Sequence, residues 1–389
     1  MADQKGEPRG PLRGVRVLEI AGQGPGPFAA MMLSDLGAEV LRIDRADAVG
    51  ARTSEPSNEV ILQRGRRSIA VDLKHPEGAE VVLALVERAD ALLEGFRPGV
   101  LERLGIGPEP CLERNPRLVY ARITGWGQDG PFAQAPGHDI NYIALSGVLH
   151  SIGNLGERPV PPLNIIGDYG GGMMLALGIV SGVLHARTSG QGQVVDAAMI
   201  DSTALLAGLL YGMFQNGAWP GEHGTNLLDG GAHFYGVYQT ADERWVSLGA
   251  IEPKFYAQLL QGLGLAGEEL PEQYDRSGWA SLRERFAAIF RTRTRDQWCE
   301  ALEPLGPCFA PVLDIEEAFE HPHNLARGVY PERDGMRHPA PAPRFSVTPA
   351  AIQSDAALPG EHTVEALVDW GFEPSEIERL RQAGTLRGS

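Results

Sequence analysis

Two side chains able to transfer protons lie in separate glycine-rich stretches of the chain. His138 belongs to the sequence Gly-His-Asp-Ile-Asn-Tyr at positions 137–142, and Asp168 begins Asp-Tyr-Gly-Gly-Gly directly before an apolar segment. Glycine lets a ligand approach the backbone closely. An imidazole and a carboxylate in one concave site would suit proton movement on a bound substrate. The sequence therefore makes His138 and Asp168 the first candidate catalytic pair.

Each candidate also has a purely structural interpretation. His138 can be a histidine with satisfied ring nitrogens at a junction between a loop and a helix. Asp168 precedes a helix and could be its N-cap, accepting backbone N–H bonds that would lower its pKa and weaken it as a base. The same helix start could offer N–H donors to an enolate oxygen. Glu252, between a predicted strand and Pro253, could orient a histidine or be a surface carboxylate.

Alternating short apolar strands and helices predict the elements that position these residues. Strands are expected at 15–20, 39–43, 91–94 and 118–123, and a basic turn that runs into a strand is expected at 63–73. Helices are expected at 28–36 and 78–88. This order predicts an α/β fold with a large doubly wound, Rossmann-like domain. Ligands of such sheets bind beyond the carboxyl ends of the strands, where Arg45, Arg97 and the loop after Ile123 are expected.

The remaining chain predicts a smaller α+β domain. We expect buried helices at 169–186 and 194–212, strands of a hairpin at 233–239 and 245–248, and helices near 255–263, 279–290 and 295–302. Final helices are expected at 363–370 and 374–383. The predicted boundaries are 1–220 for the large domain, 221–330 for the small domain, and 331–389 for a Pro-rich linker and C-terminal segment.

The glycines that follow the first predicted strand imitate a dinucleotide fingerprint. Gly22, Gly24 and Gly26 are followed by Asp44, but Pro27 occupies the position of the third glycine. A tight turn with Pro27 near the first helical position explains the pattern without a ligand. A nicotinamide-dependent dehydrogenase remains an alternative on these residues alone.

Three arginines form a positive cluster in an otherwise acidic protein. Arg64, Arg66 and Arg67 precede a predicted strand. A cluster that opposes the global charge could bind an anionic ligand, and a solvated turn is the other interpretation.

Composition limits the classes of partner. The chain has 389 residues and a net charge of -16, which argues against nucleic acid or an anionic membrane as a partner. We expect no membrane-spanning run and no secretory leader. Cys111, Cys299 and Cys308 have no metal-ligand spacing, so we expect no metal, a reduced compartment and a cytoplasmic location.

Several motifs together resemble the family III CoA transferases. They are Gly-Pro-Gly-Pro after the first strand, Val-Asp-Leu-Lys at 71–74, Arg-Pro-Gly at 97–99, Gly-Trp-Gly-Gln at 125–128, the 137–142 segment, Gly-Gln-Val-Val-Asp at 192–196, Gly-Ala-Ile-Glu-Pro at 249–253 and Gly-Glu-His-Thr at 360–363. The resemblance covers almost the whole chain, and segment 137–142 is its most specific element. It implies an interlocked homodimer with each active site between the large domain of one subunit and the small domain of the other, and a C-terminal segment that returns to the large domain.

The resemblance also implies roles for individual residues. In the racemases of this family, His138 and Asp168 would be the two bases on opposite faces of the α-carbon of a 2-methylacyl-CoA thioester, and Glu252 would pair with the histidine. The implied CoA contacts are Arg45, Ala70, Val71, Asp72, Leu73, Gly95, Phe96, Arg97 and Arg103, with Gly137, Asp139, Ile140, Asn141 and Tyr142 around the thioester. CoA is then part of the acyl-CoA substrate, and no separate cofactor is expected.

Two alternatives to the racemase remain open at this point. A CoA transferase would use Asp168 as a nucleophile that becomes covalently acylated. A protein that only binds acyl-CoA would have no activity to lose when His138 or Asp168 is replaced.

Overall fold

The computed structural model describes residues 9–50, 60–333 and 335–389, which form two compact units. Unit 1 consists of the described parts of Met1–Ser146, Leu163–Leu206 and Pro331–Ser389. Unit 2 consists of Gly147–Pro162 and Ala207–Tyr330. The domain boundaries predicted from the sequence stay a prediction. The boundaries of the compact units differ from the predicted domain boundaries, because segment 147–162 belongs to unit 2.

The secondary structure is a mixture of strands and helices along the whole described chain. The strands are β1 Arg16–Ile20, β2 Glu39–Arg45, β3 Arg67–Val71, β4 Ala91–Glu94, β5 Val119–Thr124, β6 Gln193–Ala198, β7 Tyr235–Gln239, β8 Trp245–Gly249, β9 Phe309–Val312, β10 Glu332–Arg333, β11 Met336–Arg337 and β12 Leu386–Arg387. The α-helices are α1 Pro25–Asp35, α2 Gly78–Val86, α3 Val100–Arg103, α4 Pro108–Arg114, α5 Asp139–Leu145, α6 Gly170–Ser189, α7 Met199–Leu206, α8 Gly208–Gln215, α9 Pro253–Gly262, α10 Arg276–Phe290, α11 Arg295–Leu302, α12 Ile315–Glu320, α13 Pro322–Arg327, α14 Thr363–Asp369 and α15 Pro374–Gln382.

Unit 1 is built on a seven-stranded sheet with the order β12-β3-β2-β1-β4-β5-β6. Every neighbouring pair is parallel except β12, which runs antiparallel to β3. The chain proceeds outward from β1 to β3 and then returns to β4 on the other side of β1. This reversal is the switch point of a doubly wound sheet. The large doubly wound domain predicted from the sequence is therefore confirmed.

Alternate residues of the central strands β1, β2, β4 and β5 pack into two separate core layers. Leu18 of β1 contributes to a layer with Val82 of α2 and Trp370, which follows α14. Val17, its neighbour, contributes to the opposite layer with Leu33 of α1 and Ile179 of α6. Because both faces of the sheet are covered, apolar residues occupy consecutive positions in its strands, as at Val17–Leu18 of β1 and Leu92–Leu93 of β4.

Helix α6 is the central helix of the second layer and packs on α1, β5 and β6. A Cβ atom at Gly182 would lie 2.9 Å from Val119, so glycine permits the close approach of helix and sheet. The segment Ile165–Ser189 is long and apolar enough to cross a membrane by length and composition. This corrects the expectation that no such run exists. Half of its most apolar part is buried within the protein, which is typical of a core helix.

Unit 2 has an α+β architecture around the antiparallel sheet β7-β8-β9. The predicted hairpin is confirmed, because β7 pairs with β8 in antiparallel register. An aromatic core that includes Phe234, Phe286 and Trp298 lies between this sheet and helices α9, α10 and α11. The buried ring of His223 contacts the carbonyl oxygens of His150 at 2.9 Å and Glu157 at 3.0 Å. These contacts attach segment 147–162 to the rest of unit 2.

Some sequence-based elements differ from the structure. The helix predicted at 194–212 is wrong: strand β6 occupies 193–198 and two short helices, α7 and α8, follow. A short apolar run does not distinguish a buried helix from a strand, and pairing with β5 decides the outcome. Helix α1 begins at Pro25 rather than at Phe28, since Gly24 has a φ of 68° and starts the turn. Strands β9 and β12 were not predicted.

Candidate functional site

A cavity of about 800 Å³ in unit 1 opens beyond the carboxyl ends of β1, β4 and β5. This is the position at which doubly wound sheets bind ligands. Its lining includes Gln23–Pro25 after β1, Gly95–Pro98 after β4, Ile123–Trp126 at the end of β5, Ala135–His138 before α5, and Tyr142, Asn164, Asp168, Tyr169 and Met199. Both predicted bases, His138 and Asp168, therefore face one cavity.

His138 occupies the N-cap position of α5 with an exposed side chain. Its backbone N–H donates to the side-chain oxygen of Asn141 at 3.0 Å, and its carbonyl accepts from the Asn141 N–H at 2.8 Å. Asn141, expected near the thioester, therefore orients the backbone of His138. The imidazole projects from a fixed helix start while remaining accessible from the cavity.

Asp168 lies in a single π-helical turn, Ile165–Tyr169, that leads into α6. It is not the N-cap of that helix, so the structural interpretation made from the sequence is wrong. Burial of the carboxyl is the main cause of a raised pKa of Asp168; the negative charge of Asp139 adds to it, while a hydrogen bond from Asn164 and the charge of His138 oppose it. A carboxyl with a raised pKa holds a proton more readily, which suits a group that both accepts and returns one.

The buried carboxylate of Asp139 connects the elements that carry the two bases. Its Oδ2 atom accepts hydrogen bonds from the backbone N–H groups of Gly167 at 2.6 Å and Asp168 at 2.9 Å. A Cβ atom at Gly167 would lie 2.8 Å from this oxygen, so glycine is needed there. Asp139 thus fixes the start of α5 against the Asp168 turn. Because both N–H groups already donate to Asp139, they are not available to an enolate oxygen. Donation from the N–H groups of the α6 start to such an oxygen stays a prediction.

The structure brings some of the predicted CoA contacts to the cavity. Gly95, Phe96 and Arg97 line it together with Gly137 and Tyr142. The buried carboxylate of Glu94 stabilises the loop after β4, because it accepts a hydrogen bond from the backbone N–H of Phe96 at 2.6 Å. The exposed Arg97 guanidinium makes no hydrogen bond or ion pair with any residue that the structure describes, so it is available to an anionic ligand.

The other predicted contacts lie outside the described lining of this cavity. Arg45 is exposed and forms an ion pair with Asp47. Ala70 and Val71 belong to β3 and are buried, and Arg103 ends α3. The predicted contacts outside the cavity lining also include Asp72, Leu73, Asp139, Ile140 and Asn141. Their contact with CoA stays a prediction.

Glu252 is an exposed side chain at the N-cap position of α9 in unit 2. Next to it, the thiol of Cys308 has a raised pKa, chiefly through burial and then through the charge of Glu252. The predicted pairing of Glu252 with a histidine stays a prediction.

The arginine cluster does not form an anion site. Arg66 and Glu19 are fully buried and form an ion pair at 3.1 Å, and Arg66 also donates to the carbonyl of Pro27 at 2.8 Å. Arg64 is buried against Asp35 at 2.5 Å. These guanidinium groups are already paired with internal carboxylates, whose positions the local sequence did not reveal.

Sequence reasoning missed Asn164. Its side-chain N–H donates to Asp168 Oδ2 at 3.2 Å and it lines the same cavity. The spacing of four residues between Asn164 and Asp168 was a signal of contact across a helical turn.

The sequence model of the family described as CoA-transferase family III matches residues 12–363. The chain belongs to this family. Within the family, the chain is 47% identical to the α-methylacyl-CoA racemase of Mus musculus over 95% of this chain and 96% of the relative. It is 45% identical to the α-methylacyl-CoA racemase of Homo sapiens, again over 95% of this chain and 96% of the relative.

Solved structures of family members agree with the fold. A CAIB/BAIF family protein from Brucella suis superimposes with a TM-score of 0.78 at 25% identity, covering 93% of this chain and 100% of that one. A hypothetical protein from Mycobacterium tuberculosis gives a TM-score of 0.79 at 28% identity, covering 92% and 99%. The family resemblance read from the sequence is confirmed. Relatives named as CoA transferases are more distant, for example the succinyl-CoA–L-malate CoA-transferase β subunit of Chloroflexus aurantiacus at 32% identity over 95% of this chain and 97% of the relative.

Proposed function

We propose that this protein is a racemase that interconverts (2R)- and (2S)-2-methylacyl-CoA thioesters. The observation that carries the proposal is the single cavity lined by both His138 and Asp168, the latter with a raised pKa. The identity of 45–47% to proteins named α-methylacyl-CoA racemase supports the same substrate class.

The reaction is a transfer of one proton at the α-carbon. One base removes the α-proton, the electron pair of the C–H bond moves onto the thioester oxygen to give an enolate, and the other base returns a proton from the opposite face. Reversal of these roles converts the other epimer. No oxidation occurs, and the chemistry needs no separate cofactor or metal ion.

The same proposal covers the residues that contact the CoA portion of the substrate and the oligomeric state of the protein. Arg97 and the Gly95–Phe96 backbone contact CoA, and Arg45, Arg103 and residues 70–73 extend this contact along the strand ends. The protein is a homodimer in the cytoplasm, with Glu252 of one subunit next to His138 of the other. Sedimentation velocity would give about twice the chain mass of 41.9 kDa for such a dimer.

The direct test is α-proton exchange in heavy water. Incubation with one epimer of a 2-methylacyl-CoA is expected to introduce deuterium at the α-carbon and to form the other epimer. Mass spectrometry measures the deuterium, and chiral chromatography measures the epimers. An added free carboxylic acid should receive no CoA. Transfer of CoA to that acid, without exchange, would identify a transferase with an acylated Asp168. Binding without either reaction would identify a silent acyl-CoA binding protein.

The pH dependence of the reaction tests the environment of Asp168. Asn164 lowers the pKa of Asp168 by donating a hydrogen bond, so Asn164→Ala should raise that pKa further. In the reaction direction in which Asp168 accepts the proton, Asp168 must be deprotonated. The acidic limb of the plot of kcat against pH for that direction should therefore move to higher pH.

A matched control for Asn164→Ala is Asn154→Ala, which removes a similar amide–carboxylate contact, of 3.0 Å to Glu157, in unit 2. The control should leave the pH profile unchanged. A profile of Asn164→Ala that superimposes on that of the unsubstituted protein would contradict the role given to Asp168.

A further inference from the structure

A buried arginine lies between two carboxylates near the cavity end of the parallel sheet. Arg122 of β5 is 5% exposed and pairs in register with Glu94 of β4, which has no exposed surface. Residues in register project from the same face of a sheet, so the two side chains lie side by side. A buried ion pair is costly to desolvate and is weak evidence for a role in stability. Its position directly before the loops that line the cavity indicates a role in shaping the site.

Glu94 fixes the start of the loop that carries Arg97. Its Oε2 atom accepts a hydrogen bond from the backbone N–H of Phe96 at 2.6 Å, and its Oε1 atom accepts one from Arg122 Nε at 2.6 Å. Phe96 and Arg97 both line the cavity. The Glu94 carboxylate therefore connects the start of this loop to the guanidinium of Arg122.

Glu102 of helix α3 holds the other end of the same loop. Arg122 Nη1 donates to Glu102 Oε1 at 2.7 Å and Arg122 Nη2 donates to Glu102 Oε2 at 3.3 Å, which makes a bidentate pair. Hydrogen bonds from Arg122 lower the pKa of Glu102, so this carboxylate is charged at neutral pH. One guanidinium thus binds the residue before segment 95–101 and the residue after it.

The loop between these two anchors has little conformational freedom. Pro98 has a fixed φ and restricts the residue before it, Arg97, to extended conformations. The carbonyl of Pro98 accepts a hydrogen bond from the Gln134 side chain at 3.1 Å. Gly99 begins α3 with a φ of 83°, in the left-handed region that favours glycine. Because the loop is short and stiff, the positions of its ends determine the direction in which the Arg97 side chain leaves the backbone.

We propose that Arg122 is a positioning residue that orients Arg97 toward the phosphates of bound CoA. The inference rests on the proposed function, in which Arg97 contacts CoA, and extends it to a residue that touches no substrate. Arg97 makes no hydrogen bond or ion pair with any residue that the structure describes, so its backbone rather than a neighbouring side chain sets its direction. Phosphates are the anionic groups of CoA, and a guanidinium that is already in position binds them with a smaller loss of entropy.

The variant Arg122→Lys tests the inference, because lysine keeps the positive charge beside Glu94 and loses the planar fork that reaches both carboxylates. KM for a 2-methylacyl-CoA and Kd for CoA should each rise about tenfold, since one charge-assisted contact is weakened. The kcat for α-proton exchange should stay within about twofold, because the phosphate contact is the same in the ground state and the transition state. KM for the same acyl group on pantetheine, which has no phosphate, should not change.

The matched control is Arg295→Lys in unit 2. Arg295 is also buried and forms a bidentate pair, with the oxygens of Glu317 at 2.6 Å and 2.8 Å. Its replacement should leave kcat and both KM values unchanged. An Arg122→Lys protein that loses affinity for the pantetheine thioester as much as for the CoA thioester would overturn the inference, because the damage would then not concern the phosphates.

A double-mutant cycle shows whether Arg122 acts through Arg97. Arg97→Ala should raise Kd for CoA, and the addition of Arg122→Lys to Arg97→Ala should raise it no further. Additive effects of the two substitutions on Kd would mean that Arg122 acts by another route, which also overturns the inference.

The outcomes separate the inference from the function on which it rests. Absence of α-proton exchange by the unsubstituted protein overturns the racemase function, whereas the CoA affinities, measured by calorimetry, still decide the role of Arg122. Absence of CoA binding by the unsubstituted protein overturns both. If Arg122→Lys does not fold, Glu102→Gln at the exposed end of the same network replaces it. That variant should raise Kd for CoA about threefold through a weaker hydrogen bond to Arg122, and an unchanged Kd overturns the inference.

Discussion

The variant Asp168→Asn should lose epimerisation while still exchanging the α-proton of one epimer with solvent. Asparagine keeps the size of the side chain but cannot accept the proton, and loss of a positioned base lowers kcat by about 10³-fold. His138 still reaches the opposite face of the α-carbon. It can remove and return the proton of the epimer that presents its α-hydrogen to the imidazole, which introduces deuterium and leaves the configuration unchanged.

The complementary variant His138→Asn is the matched control, and it should exchange only the other epimer. Each pure epimer is incubated with each variant in heavy water, and deuterium content and configuration are read separately. Both variants exchanging the same epimer would contradict two bases on opposite faces. Loss of all reactions in Asp168→Asn, with CoA transfer to a free acid retained in His138→Asn, would identify Asp168 as a nucleophile instead.

The variant Arg66→Met should lower the free energy of unfolding by about 3–5 kcal/mol, the cost of removing one partner of a buried ion pair. Glu19 is a fully buried residue of strand β1, and Arg66 is its partner at 3.1 Å. Burial raises the pKa of Glu19 even with Arg66 present. A raised folded-state pKa means that stability is lost as the pH rises through it, so the deficit of Arg66→Met should shrink when the pH is lowered and the carboxyl becomes neutral.

Chemical denaturation at pH 7.5 and at pH 5.5 measures both parts of this prediction. Arg114→Met is the control: Arg114 pairs with Glu80 and Glu87 at 2.7 Å on the surface, and such exposed pairs contribute about 0–1 kcal/mol. The double variant Glu19→Leu/Arg66→Met should recover much of the loss. An Arg66→Met protein as stable as the Arg114→Met protein would show that Glu19 is not an uncompensated buried charge.

The parallel sheet of unit 1 was largely readable from the sequence, because each of its inner strands is a short apolar run before a turn. β1, β4 and β5 lie within one residue of the predicted positions. Strand β6 was not readable, since it leads directly into helix α7 at Met199 with no glycine or proline between the two elements. Strand β12 has only two residues, and its existence depends on pairing with β3.

The candidate site also has a part that the sequence predicted and a part that it did not. His138 and Asp168 could be predicted because their types and glycine-rich context indicate chemistry, and the structure places both at one cavity. Charge alone was misleading for Arg66, whose partner Glu19 lies on strand β1, distant in the sequence. The N-cap interpretation of Asp168 implied a lowered pKa, and that interpretation is wrong: the backbone hydrogen bonds of a cap are absent, and burial raises the pKa of Asp168. Tertiary neighbours decide such quantities.

The late position of β12 has a consequence for how the protein is made. Residues 385–387 pair with the β3 edge, where the Asp72 N–H donates to the Thr385 carbonyl at 2.8 Å, and Trp370 fills the adjoining core layer. During translation the ribosome delivers β1 to β6 and all of unit 2 before these residues emerge. The nascent parallel sheet therefore has an unprotected edge strand and an incomplete apolar layer for most of its synthesis, a state prone to aggregation. Chaperone dependence of newly made chains is expected to end only with the last strand.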